Sequence, residues 1–143
     1  MSSAPAMTLS SLAAQAYSDG YASHGDIDLR PERFENQLSV IIEKHLGSNA
    51  TPAAALSFFS TLHTTDLYLT IACSQSGDRA WTRFVTAYQK YMDKVARFVS
   101  PTSDAARELA SDVMADLFLH DRSGRSRIAS FDGQQSLATW LRF

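Results

Sequence analysis

From Gly77-Asp78 to Pro101 the chain runs without a helix-breaking residue, and its apolar side chains keep one spacing. Trp81, Phe84, Val85, Tyr88, Met92, Val95 and Val99 fall within a stripe about 100° wide at about 100° per residue. This spacing predicts a long helix over 79–99 that must bury one side against other elements. The rest of the chain supplies partners of the same kind. Pro31 opens a helix well because its missing N–H costs nothing at the first position; Phe34, Leu38, Ile41 and Ile42 follow at helical spacing, and Gly47 stops it. Thr51-Pro52 repeats the signal, with Thr51 as N-cap and Leu56, Phe59 and Leu62 as the apolar face. Thr65-Asp66 opens a third helix carrying Leu67, Tyr68 and Ile71. No strand-like alternation persists, so the expected fold class is all-α.

After Pro101, Thr102 or Ser103 can cap the next helix, whose positive N-terminal end suits Asp104. Ala106, Leu109, Val113 and Leu117 form its inward face. A polar, basic loop over 121–127 follows, then the anchors Ile128 and Phe131, an Asp132-Gly133 turn, and a last helix expected over 136–143. Residues 1–30 are rich in Ser, Ala and Gly; they read as a mobile arm with a short helix around Leu12–Tyr17.

Charge divides the 143 residues unevenly. The net charge of −2 excludes a uniformly basic nucleic-acid binder. Residues 1–76 hold three Lys/Arg against seven Asp/Glu, and residues 77–143 hold ten against eight. No apolar run of about 18 residues is present to cross a membrane. The single cysteine, Cys73, cannot form an internal disulfide and reads as a small buried hydrophobe; a reducing, cytoplasmic location is the expectation.

Catalytic signals are sparse. His24, His45, His63 and His120 show no metal-ligand spacing, and no phosphate-binding loop or nucleophile elbow is present. His45 and His63 near helix ends are expected to meet free carbonyls. Asp112 and Asp116, four apart, read as a solvated face. No catalytic residue, metal or cofactor is assigned.

Helix faces say more. Arg79, Arg83, Lys90, Lys94 and Arg97 share the side of the long helix away from its apolar stripe, with Asp93 at the edge. Such a face is solvated, or it meets phosphate, or the acidic front half folds back on it; for the last case residues 31–62 are the expected cover. On the next helix the outward face carries Glu108, Ser111, Asp112, Ala115 and Leu119, apolar atoms ringed by acid, which suits a protein partner. Arg122, Arg125 and Arg127 lie in the loop that follows, and the planar fork of arginine fits phosphate oxygens.

The run from Asp66 to Phe143 resembles region two of bacterial sigma factors of the extracytoplasmic-function group. Three pieces carry the likeness: GDRAWTRFVTAYQKYMDKVARFV at 77–99, DAARELASDVMADLFLH at 104–120, and RIASFDGQQSLATWLRF at 127–143, the last similar to the family's F-x-G-x-x-S-L-x-T-W-L. The resemblance implies a helical domain that docks on the β′ clamp helices of core RNA polymerase and helps melt and hold the promoter minus-ten element. Glu108, Ser111, Asp112, Ala115 and Leu119 would then face polymerase, and Arg122, Arg125, Arg127 and Arg142 would contact promoter DNA. An anti-sigma factor belongs to the same class of partners.

Phe131, Leu137, Trp140 and Leu141 read as core rather than base-stacking residues. Ser111 stands where the family commonly has Gln, and Met114 where it often has Phe. The expected organisation is a flexible arm over 1–30, a helical extension over 31–64 and a sigma-region-two unit over 65–143. The family continues with base-reading residues beyond this point, so the chain reads as a piece of a longer protein or as a sigma-like protein that does not choose promoters alone. The rival reading is an interaction module, an adaptor or regulator that binds polymerase without reading DNA.

Overall fold

The computed structural model describes residues 8–75, 77–119 and 126–142. Among the described residues seven α-helices run in order: α1 (Leu9–His24), α2 (Pro31–Leu46), α3 (Pro52–Phe59), α4 (Thr64–Ser74), α5 (Asp78–Val99), α6 (Ser103–Phe118) and α7 (Leu137–Trp140). A short 3₁₀ helix, Arg127–Ser130, precedes α7, and no strand forms among the described residues. The fold is all-α.

α4 is the hub. Every residue from Leu67 to Cys73 is buried, so this helix is covered on all sides rather than presenting one apolar face. α1, α5 and the 3₁₀ helix pack around it, and α2 touches it as well. One core continues from Ala13 and Phe34 through Tyr68 and Phe84 to Phe131, Leu137 and Leu141. It therefore crosses residue 64, where the sequence places the end of the extension.

The expected arm is corrected. Leu9–His24 forms a full helix, opened by a Thr8–Ser11 capping box and buried through Ala13, Ala16 and Gly20. The small residues that lower the hydrophobicity of this segment let α1 approach α4 closely. A Cβ on Gly20 would lie 2.4 Å from Cγ of Tyr68. The Tyr68 hydroxyl donates to the Gly25 carbonyl at 2.9 Å, fastening the end of α1.

Other start and stop signals hold. Pro31 opens α2, Thr51 caps α3 through Ala54 N–H, and Thr102 caps α6 through Ala105 N–H. The buried side of α5 is turned slightly from the expected stripe. Ala80, Phe84, Met92 and Ala96 are buried, whereas Val85 and Val99 are exposed. Alanines rather than valines face inward where α5 and α6 run side by side, since Ala96, Ala106 and Ala110 form a separate small cluster. The last helix is shorter than expected, spanning Leu137–Trp140.

Candidate functional site

α6 presents two different sides. Ala106, Ala110 and Leu117 are buried, with Leu109 and Val113 half-buried beside them. Glu108, Ser111, Asp112, Ala115 and Leu119 are all exposed, so the five residues that the sequence selects lie on one outward ridge. Leu119 is 62% exposed and its neighbour Phe118 47%, so the ridge ends in an apolar tip beside the acidic residues. The Phe118 ring meets Trp81 of α5 edge-on at 4.9 Å. Trp81 in turn donates its indole N–H to the Cys73 carbonyl at 3.0 Å. The tip is thus tied through Trp81 to the central helix. Phe118 carries no distinguishing signal in the sequence; its exposure follows from where α6 ends.

Arg127 and Arg142 flank a groove of about 230 Å³ lined by Val113, Leu117, Trp140 and Leu141. The Arg127 guanidinium donates to the Asp116 carboxylate at 2.8 Å. Asp116 stays exposed, as its reading on a solvated face expects, and also pairs with Arg127. Arg142 is exposed. Arg122, Arg125 and His120 lie outside the described residues.

The third motif is held from behind. Ile128, Phe131, Leu137 and Leu141 are buried, as expected for core residues, and the half-buried Trp140 ring stands edge-on to Phe131 at 5.5 Å. Asp66 of α4 accepts the Leu137 backbone N–H at 2.9 Å and the Tyr88 hydroxyl at 3.3 Å, so one carboxylate joins α4, α5 and the start of α7. Burial, reinforced by the charge of Asp66, pushes the Tyr88 hydroxyl pKa upward and keeps it a donor. The Tyr91 hydroxyl donates to the Ala138 carbonyl on the same side.

His45 and His63 behave differently from expectation. The His45 ring contacts Asp132 at 3.0 Å and lies near Phe58, rather than meeting free carbonyls. Gln134 donates to the same carboxylate at 2.8 Å. Burial alone would raise the Asp132 pKa, but the hydrogen bonds from Gln134 and His45 outweigh it and lower the value. His63 sits at the start of α4, where no free carbonyls collect, and its backbone N–H donates to Gly133.

The compared family models, curated proteins and solved structures include no match to this chain.

The five cations of α5 split into two groups. Arg79 lies 3.6 Å from both Asp26 and Asp28, and Arg83 donates to His24 Nδ1 at 3.0 Å and to the Ser23 carbonyl at 3.2 Å. The cover is the end of α1 and the turn after it, residues 23–28, and not 31–62. The expectation for 31–62 fails because α2 and α3 pack instead on α1, α4 and each other. Lys90, Lys94 and Arg97 are exposed and form no ion pair among the described residues. A cleft of about 450 Å³ between the turn and α5 mixes Asp26 and Asp78 with Arg79 and Arg83, so it favours neither sign of ligand.

Among the described residues no three His, Cys, Asp or Glu side chains are placed to share a metal ion, and no helix is long and apolar enough to cross a membrane. Cys73 is buried, and burial pushes its thiol up to about 12. It is a packing residue at neutral pH, as the sequence suggests.

Proposed function

We propose that this chain is a sigma-region-two-like domain that docks on the β′ clamp helices of RNA polymerase through the outer ridge of α6. The single observation that carries the reading is the exposure of Glu108, Ser111, Asp112, Ala115 and Leu119 on one face. Acidic groups around Leu119 and Phe118 suit a partner surface with basic residues and an apolar socket. In this reading the domain has no catalytic step of its own. Arg127 and Arg142, beside the Trp140 groove, are the described residues that would approach melted promoter DNA, with Arg122 and Arg125 as further candidates.

The test is a pull-down with core RNA polymerase. The double variant Glu108→Lys/Asp112→Lys should lose capture while keeping its circular dichroism spectrum and melting temperature. Absence of capture of the unaltered chain, or equal capture of both proteins, refutes the docking surface.

A second reading, an adaptor that binds polymerase without reading DNA, draws support from Arg127. Its guanidinium is already paired with Asp116, which leaves less free positive charge at the groove. Fluorescence with single-stranded minus-ten DNA separates the two. Polymerase capture accompanied by DNA binding that Arg142→Ala weakens supports the sigma reading; capture without DNA binding supports the adaptor.

A further inference from the structure

Lys90, Lys94, Arg97 and Phe98 form a surface that the docking ridge does not use. We propose that this outer face of α5 is a sequence-independent docking strip for single-stranded nucleic acid.

Helix geometry places the three cations within an arc of about 60°, opposite the buried side that carries Phe84, Met92 and Ala96. They span about 10 Å along the axis, enough to meet successive phosphates of one strand. Asp26 and Asp28 already engage Arg79, and His24 with the Ser23 carbonyl engages Arg83 on the same face, yet no ion pair engages these three among the described residues. Asp93 flanks the strip, half-buried, about 40° from Arg97.

Phe98, one residue past Arg97 along the axis and about 40° around the helix from Lys94, is 80% exposed, the largest exposure of any large apolar residue described. A row of cations ending in an open aromatic ring gives backbone attraction together with a stacking platform. An acidic protein segment would satisfy the cations but needs an apolar patch to bury. Phe98 offers only one ring there, because exposed Val99 lies about 140° or more around the helix from each of the three cations.

The experiment is fluorescence anisotropy with labelled oligo(dT) across a salt series. For the unaltered chain the logarithm of affinity should fall against the logarithm of salt, and the strip should contribute about −2 to that slope, three contacts at about 0.7 each. Lys90→Gln/Lys94→Gln/Arg97→Gln should flatten that slope and weaken binding at low salt. Phe98→Ala should weaken binding about fivefold or more while leaving the slope in place, as expected when one base loses its stacking partner. All four side chains are exposed, so the variants should keep the native circular dichroism spectrum.

Four results overturn the strip. These are no salt-dependent binding by the unaltered chain, equal binding by the triple variant, unchanged binding by Phe98→Ala, or tighter binding of polyglutamate than of oligo(dT). Any of these leaves polymerase capture through α6 unaffected, since the strip shares no residue with that ridge.

Discussion

Gly133 and Gly47 pose the same backbone problem in different surroundings. Their φ angles are +79° and +80°, a region that side chains with a Cβ rarely enter. Alanine at either site should therefore cost about 1–3 kcal/mol in backbone strain. At Gly47 a Cβ meets nothing within 4 Å. At Gly133 it would fall 2.5 Å from Cδ1 and 2.9 Å from Cγ of Leu67. Leu67 is fully buried in the hub helix, so the clash falls inside the core. Overpacking of this kind adds about 1–3 kcal/mol. Gly133→Ala should thus be destabilised by about 2–6 kcal/mol in total, against about 1–3 for Gly47→Ala. Urea unfolding of the two variants beside the unaltered chain measures the difference, and thermal melts should separate them by roughly 3–10 °C. If Gly47→Ala loses as much stability as Gly133→Ala, contact with Leu67 is not what demands glycine in the third motif, and the packing argument fails.

Two further outcomes follow from the core and from the end of α1. Trp81→Ala should cost about 3–5 kcal/mol by removing a ring packed on Phe84 and Phe118 together with its bond to Cys73; an unchanged melting temperature would contradict the placement of Trp81. Burial and the neighbouring Arg83 hold His24 below the ordinary imidazole value of about 6.5, so folding favours the neutral ring. Its contribution is complete above that value and is lost as the pH falls through the lowered one. Urea midpoints taken from pH 7 down to pH 5 should drop for the unaltered chain and drop less for His24→Gln; parallel curves would sink this assignment.

Much of the helical framework is legible in the sequence because local signals set it. Pro31, Gly47, Thr51, Thr102 and Ser136 act through their own backbone and near neighbours, and each lies at the helix end expected for it. The outward ridge of α6 is legible for the same reason, since helical periodicity alone separates Glu108 and Asp112 from Ala106 and Leu117. Interactions between distant residues are not. α1 escapes a reading by hydrophobicity because its inward face consists of Ala13, Ala16 and Gly20, which carry little hydrophobic signal yet permit close approach to Tyr68. The joining role of Asp66, the His45–Asp132 contact and the Arg127–Asp116 pair depend on which elements meet, and periodicity holds no record of that. The inward side of α5 departs a little from its apolar stripe for a related reason: Ala80 and Ala96 are buried because the neighbouring helix comes close, while Val99 lies exposed at the last residue of α5.

The charge asymmetry along the chain has a partly internal explanation. Asp26 and Asp28, from the acidic front, lie against Arg79 of the basic back half. These groups are more than 60% exposed and sit 3.6 Å apart, a geometry that contributes at most about 1 kcal/mol. What seats the turn is apolar. Ile27 and Leu29 flank Asp28 and are 4% and 3% exposed, which corresponds to about 1.5–3 kcal/mol for each side chain. The Tyr68–Gly25 bond adds a fixed anchor at the start of the turn. Burial of Ile27 and Leu29 therefore outweighs the ion pairs, and the carboxylates choose the side of α5 rather than hold the turn in place. Salt strong enough to screen Arg79 should leave α1 seated, whereas the row of Lys90, Lys94 and Arg97, without an ion pair among the described residues, keeps its full sensitivity to ionic strength. The acidic front half is joined to the rest of the fold mainly through its hydrophobic residues, and its charge alone does not mark it as a separate module.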